Sequence, residues 1–272
     1  MERDLPWSSK PLIMGVLNVT PDSFFDGGKH SAEEDAVRHA LLMVESGAHI
    51  IDVGGESSRP FSSPVSTDEE LRRIIPVIQR IRAESDVPIS VDTCKARVAR
   101  EACLAGADIV NDISGLRNDP DMADAIRDLA RYVVIMHMKG APADMQKAPY
   151  YDDVVTEIRT FFLERMRYAV DSGIEEEKII LDPGIGFGKR LEDNLKILKA
   201  LDRFAAIGRP LLVGTSMKGF IGTITGSSLE ERIEGTLASI AIAIWNGAAI
   251  VRVHDVKRTS KVVKLVDAIK KA

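Results

Sequence analysis

The sequence is poor in the features that point to secretion, membranes or structural metal. It has two cysteines in 272 residues, Cys94 and Cys103. Their separation fits no zinc or redox motif, so both are expected as reduced thiols in a cytoplasmic protein. The opening MERDLPWSSK lacks the apolar run of a signal peptide. The longest apolar stretch, Leu237 to Trp245, is too short to span a bilayer. No G-x-G-x-x-G follows the first apolar run, and no Walker A loop occurs anywhere. The net charge of -5 argues against general nucleic-acid binding. No linker and no low-complexity tract divides the chain, which reads as a single domain over residues 1–272.

What is present is a regular alternation. Short apolar runs rich in β-branched residues recur eight times: PLIMGVLN, HIIDVGG, PISVDT, DIVNDIS, YVVIMHM, KIILDPG, PLLVGTS and AIVRVHDV. Amphipathic stretches of helical length separate them, such as TDEELRRIIPVIQRIRAE and VVTEIRTFFLERMRYAV. Near-continuous apolar strands are what a parallel sheet covered on its faces requires. Three segments echo one another: SGAHIIDVGG, AGADIVNDIS and NGAAIVRVHD. In each, a helix is expected to end at glycine in a left-handed C-cap before the next strand begins. The expected fold is a single (β/α)8 barrel. A doubly wound sheet is the runner-up, and it normally needs fewer units.

In such barrels the active site lies at the C-terminal ends of the strands. There the runs deliver Asn18, Asp52, Asp92, Asn111 with Asp112, His137, Asp182, Ser216 with Lys218, and Arg252 with His254 and Asp255. Taken alone, Asp52 and Asp112 read first as structural, because aspartate at a strand end often caps the following turn or helix. His137 reads equally as a satisfied core residue or a ligand. The ensemble carries more weight, since so many polar groups crowd one rim. Asp92, Asn111 and Asp182 could hold a flat, donor-rich heterocycle by its amino and ring N–H edge. Arg252 and His254 alternate with Val253 and so share a strand face. With Asn18 and Arg59 they could hold a polyanion. Lys218 follows a small-residue turn that lets it reach toward the ring. In GIGFGK, the glycines are read as permitting unusual backbone or a close approach before any direct phosphate role.

The segments IMGVLNVTPDSFFDGG, DVGGESSRP, ISVDT, NDISG, MHMKG, LDPGIGFGK, VGTSMKGFIG and VRVHDV resemble the dihydropteroate synthase family from first strand to last. The resemblance implies a (β/α)8 barrel acting in folate biosynthesis. The implied reaction joins 6-hydroxymethyl-7,8-dihydropterin diphosphate to 4-aminobenzoate, yielding 7,8-dihydropteroate and pyrophosphate, with Mg2+ as cofactor. By position it implies that Asp92, Asn111 and Asp182 bind the pterin edge and that Lys218 contacts the ring. Arg252 would lie against the pterin face. Arg252, His254, Asn18, Ser58 and Arg59 would bind the diphosphate, and Asn18 would also ligate Mg2+. Phe24, Ser58, Arg59, Pro60, Phe187, Lys218 and Gly219 would form the aminobenzoate pocket. Asp92, Lys218, Arg252 and His254 would carry the catalysis. The family further implies a homodimer and a sulfonamide target.

Four positions, in three segments, depart from the family pattern. Met217 stands where an arginine is usual, which removes a cation beside the site. Ser58 replaces threonine, and Phe61 replaces a glycine in the second loop. Gly219 replaces a frequent serine, so a bond to the aminobenzoate carboxylate could come from its backbone N–H. Two other readings stay open on the sequence. A pterin-dependent methyltransferase shares the carboxylates but has no use for the anion-binding residues. A catalytically silent pterin-binding protein is expected to lose the diphosphate and Mg2+ residues, which are all present.

Overall fold

The computed structural model describes residues 5, 7, 9–20, 29–57, 64–141 and 144–272, with only the backbone of 29–31. Eight strands run β1 (Leu12–Asn18), β2 (Ile50–Gly54), β3 (Ile89–Asp92), β4 (Ile109–Asp112), β5 (Tyr132–Met136), β6 (Ile179–Asp182), β7 (Leu212–Val213) and β8 (Ile250–Val253). All pair in parallel, in the order β6-β5-β4-β3-β2-β1-β8-β7. A bridge between Leu181 and Leu211 joins the two ends of that order and closes the cylinder. The expected (β/α)8 barrel is therefore the fold.

The helices between the strands are α1 (Lys29–Glu45), α2 (Thr67–Glu84), α3 (Ala96–Ala105), α4 (Met122–Leu129), α5 (Val154–Asp171), α6 (Leu191–Lys199), α7 (Leu201–Ala205), α8 (Gly219–Thr225), α9 (Ile233–Trp245) and α10 (Val256–Lys271). The short α7 and α8 add to the simple alternation after β6 and β7. Their sequences are too short to carry a 3.6-residue period. Several boundaries follow from local chemistry. Ser66 and Asp153 accept backbone N–H bonds at the starts of α2 and α5. Asp255, counted above among the polar strand ends, caps α10 by accepting the Arg258 N–H at 2.9 Å. The three echoing glycines close α1, α3 and α9 in the left-handed region, with φ of 105°, 119° and 108° at Gly47, Gly106 and Gly247.

Side chains on a strand alternate between the barrel interior and the helix layer. The lower interior is apolar: Leu12, Met14, Ile50, Ile109, Val134, Ile180, Leu212 and Ile250 form one buried cluster, with Leu5 and Trp7 packed on it. On four of the strands the same face turns polar two residues further along. Ile50 is followed by Asp52, Ile109 by Asn111, Ile180 by Asp182 and Ile250 by Arg252. One step of the pleat thus separates an apolar floor from a charged rim.

Candidate functional site

Strand register assembles the rim. Asn18 pairs with Gly54, Gly54 with Asp92, and Asp92 with Asn111, so these residues form one row across four strands. Above the rim lies a cavity of about 840 Å³, lined by Asn18, Asn111, Asp182, Lys218, Arg252 and His254 among others. These polar residues come from β1, β4, β6 and β8 and from the turn after β7.

Arg252 is the electrostatic centre of the base. Its Nε donates to Asp52 Oδ2 at 2.6 Å and its Nη2 to Asp92 Oδ2 at 2.7 Å. Nη1 has no acceptor among the described residues. Burial works against the guanidinium charge, and Asp52 and Asp92 more than offset it, so its pKa lies above the ordinary arginine value. Burial pushes the Asp92 carboxyl above the usual carboxylate range, with Arg252 pulling the other way. Asp92 is nearly buried and held in the pair with Arg252. Asp52 is fully buried and also accepts the Asn111 amide Nδ2 at 3.3 Å. That bond orients the amide and leaves Asn111 Oδ1 buried without a donor among the described residues.

Asp182 ends β6 with its carboxylate in the cavity wall. Oδ1 accepts the Gly184 N–H at 2.7 Å, and no donor among the described residues reaches the other oxygen. Burial raises its pKa to about 6, while the Gly184 N–H, Lys218 and Arg252 pull it down. The glycines of GIGFGK are conformational. Gly184 and Gly188 have φ of 65° and 63°, and a Cβ at either would lie 2.1 Å from a carbonyl oxygen, of His137 and Lys139 respectively. The turn is pinned by Lys189, whose buried Nζ donates to His137 Nδ1 at 3.0 Å, His137 O at 3.2 Å and Phe187 O at 3.0 Å. Burial lowers the Lys189 pKa, and Asp182 pulls the other way. His137 is 7% exposed, and burial with Lys189 beside it drives its pKa down to about 2. It is a neutral core residue.

Lys218 reaches the cavity from the turn after β7. Its Nζ lies 4.2 Å from the centroid of the Phe187 ring and makes no hydrogen bond among the described residues. Burial, then the Arg252 charge, lowers its pKa to about 8. The preceding Met217 has a φ of 59°, which for a side chain of this size is an uncommon and unfavourable backbone state. Ser216 Oγ lies 2.9 Å from His254 Nδ1.

Asn18, Asn111, Asp182, Phe187, Lys218, Gly219, Arg252 and His254 therefore meet at one cavity. Phe24, Ser58, Arg59, Pro60 and Phe61 lie outside the described residues. Asp112 is structural as expected: its oxygens accept the Ser114 and Leu116 N–H groups. Asp52 is also structural, but it does not cap a turn: fully buried, it holds Arg252 and the Asn111 amide. The signal was available, since Asp52 follows the interior Ile50 by two residues, whereas a capping aspartate leaves the barrel face. Lys189 was also missed as an organiser of the Asp182 turn.

The sequence was then compared with known proteins. The model of the family described as "Pterin binding enzyme" matches residues 14–254. The dihydropteroate synthase of Escherichia coli strain K12 is 48% identical over 260 residues, covering 96% of this chain and 92% of that protein. The chain belongs to the dihydropteroate synthase family. Solved members of the family agree over nearly the whole length. The Yersinia pestis synthase with a sulfonamide drug complex superposes with a TM-score of 0.93 at 44% identity, covering 98% of this chain and 97% of that one. The Xanthomonas albilineans synthase with 7,8-dihydropteroate gives a TM-score of 0.88 at 42% identity, covering 100% and 96%. Among the described residues, no helix is long and apolar enough to cross a membrane.

Proposed function

We propose that this chain condenses 6-hydroxymethyl-7,8-dihydropterin diphosphate with 4-aminobenzoate to give 7,8-dihydropteroate and pyrophosphate in folate biosynthesis. One observation carries the reading beyond family membership. Among the described residues, Asn111 Oδ1 is buried with no donor and one Asp182 oxygen has no donor, and both residues line the same cavity. A buried acceptor without a donor, such as Asn111 Oδ1, is rare in native proteins. A pterin edge, with an amino group and a ring N–H side by side, supplies the missing donors.

The remaining roles follow from charge. Arg252 has Nη1 to offer an anion, and His254 and Asn18 stand in the same cavity. These groups would receive the diphosphate. Lys218, held over Phe187, would face the ring. In the step proposed, the C–O bond at the methylene breaks and its electron pair leaves with pyrophosphate. The electron-rich dihydropterin delocalises the resulting cation, and the Asp182 carboxylate in the cavity wall would stabilise that charge. The aniline lone pair then forms the C–N bond, and the ammonium proton is lost afterwards. The aniline is neutral at pH 7, so attack needs positioning more than a strong base. Phe187, Lys218 and Gly219 would border the aminobenzoate, with Phe24, Ser58, Arg59 and Pro60 completing that pocket.

Among the described residues, no group of three or more His, Cys, Asp or Glu side chains could hold a metal ion. Mg2+ commonly takes one or two protein oxygens and completes its octahedron with phosphates and waters. Asn18 offers one amide oxygen in the cavity, which fits an ion that arrives with the diphosphate. When bound, the ion would neutralise charge on the leaving pyrophosphate. Chelation with EDTA is then expected to abolish turnover while leaving the affinity for a pterin without diphosphate unchanged.

We also read the protein as a cytoplasmic homodimer. Both cysteines are unpaired thiols, as a reducing compartment favours. Ile242 and Trp245 on α9, and Leu265 and Ile269 on α10, are all more than half exposed on adjacent helices, at 52%, 59%, 62% and 53%. An apolar face of this kind suits a subunit contact. The deciding assay is pyrophosphate release from the pterin diphosphate with Mg2+, with and without 4-aminobenzoate. Release that depends on the aminobenzoate and yields dihydropteroate is expected. Pterin binding without dihydropteroate would overturn the reading.

A further inference from the structure

We infer that Thr236 and Arg232 are positioning residues that clamp the Met217 peptide and so aim Lys218 into the cavity. The inference rests on the reading of Lys218 as the group that faces the pterin ring. Lys218 Nζ has no hydrogen bond among the described residues, and its one directional contact is the Phe187 ring. Its direction therefore depends on the backbone that carries it. That backbone passes through a left-handed residue, Met217, at φ 59°. A non-glycine side chain holds this conformation only where its surroundings impose it.

The start of α9 and the residue before it supply that constraint. Thr236 Oγ1 accepts the Met217 N–H at 3.0 Å. Arg232 Nη1 donates to the Met217 carbonyl at 3.2 Å. Both polar groups of one residue are thus gripped by two side chains four positions apart. Two further contacts extend the grip. Ser239, on the next turn, donates to Thr215 Oγ1 at 2.9 Å. The Met217 sulfur lies 3.8 Å from Thr236 Oγ1, so its side chain folds onto the clamp. Arg232 Nε is buried with no acceptor among the described residues. An orphaned donor is unfavourable, so simple packing does not explain this guanidinium. The bond to the Met217 carbonyl gives it a reason to be there.

The test compares Thr236→Val, Thr236→Ser, Met217→Gly and the Thr236→Val/Met217→Gly double variant. Turnover is read as kcat and KM with both substrates. A small misplacement of a positioned group is costly, so Thr236→Val is expected to lower kcat about tenfold. KM for 4-aminobenzoate should change less than threefold. Thr236→Ser keeps the oxygen and should retain kcat within twofold. Glycine adopts the left-handed state without strain, so adding Met217→Gly should recover most of the loss.

A second readout is independent of activity. The protein is reductively methylated with a 13C label, and the Lys218 signal, assigned by its absence in Lys218→Met, is titrated by NMR. It should titrate near 8 in the parent and move toward the ordinary lysine value in Thr236→Val. Unchanged kcat and titration in Thr236→Val would overturn the inference. So would a loss that glycine does not repair, which would mark Thr236 as packing alone. If the parent makes no dihydropteroate but the titration still moves, the clamp stands and the synthase reading falls. Should Thr236→Val fail to fold, Arg232→Met probes the other side of the same peptide with the same outcomes.

Discussion

Replacing Asp182 by asparagine isolates the feature on which the pterin reading rests. The amide oxygen can keep the Gly184 N–H bond now made at 2.7 Å, so the turn should survive. The second oxygen becomes an NH2 group and presents donors to the donors of the ligand. One charge-assisted hydrogen bond is lost, about 1.5–3 kcal/mol, and one buried ligand donor is left unsatisfied, about 1–3 kcal/mol. Together these give roughly 2.5–6 kcal/mol. At about 1.4 kcal/mol per tenfold, pterin affinity should fall by roughly two to four powers of ten. Burial already opposes the Asp182 charge, raising its pKa to about 6, so the neutral amide should not lower the melting temperature. Calorimetric titration with 6-hydroxymethylpterin at pH 7.5, beside a thermal melt, measures both quantities. A loss under tenfold with an unchanged melt would refute the assignment of Asp182 to the pterin edge.

Arg252→Met leaves Asp52 and Asp92 buried without their partner, which should cost about 3–5 kcal/mol and lower the melting temperature by about 10 °C. That deficit should shrink in mild acid as Asp92 takes up a proton, and a melt series across pH reads it. His137 stays neutral in the folded protein, its pKa driven down to about 2, whereas the unfolded chain protonates it below about 6.5. The unfolded state then binds the extra proton, so stability falls as pH drops through that window, by about 1.4 kcal/mol per unit. His137→Asn keeps an acceptor for Lys189 and should remove that slope in denaturant titrations between pH 6.5 and 5. Trp245→Glu, on the exposed side of α9, should convert a dimer to monomer in sedimentation velocity and make the melting temperature independent of protein concentration.

The alternation of strand and helix was legible because parallel strands are buried on both faces and read as unbroken apolar runs. The polar groups ending those runs were legible for the same reason, since each interrupts a pattern. Asp112 could be assigned to its turn from local chemistry alone. Asp52 was not separated from it, although both follow an apolar run. What distinguishes them is the interior side of the pleat, which must be counted from the residue below. The pairing of Arg252 with two carboxylates from β2 and β3 was out of reach, because it depends on closure of the barrel across 200 and 160 positions of sequence. The hold of Arg232 and Thr236 on Met217 had no signature at all. It acts on a backbone peptide, and no residue type announces that.

The apolar floor beneath the rim is also an electrical insulator. Ile50, Ile109, Ile180 and Ile250 leave water no approach to Asp52, Asn111, Asp182 and Arg252 from below. Field lines from the rim therefore emerge on one side, into the cavity, where the substrate would lie. The acid–base character of the site is then partly a property of residues that never touch a substrate. Trimming one of those isoleucines would let solvent polarise the carboxylates from behind and relax the burial that now raises Asp182. In this barrel, tuning the chemistry and packing the core are one operation, performed two residues apart on the same strand.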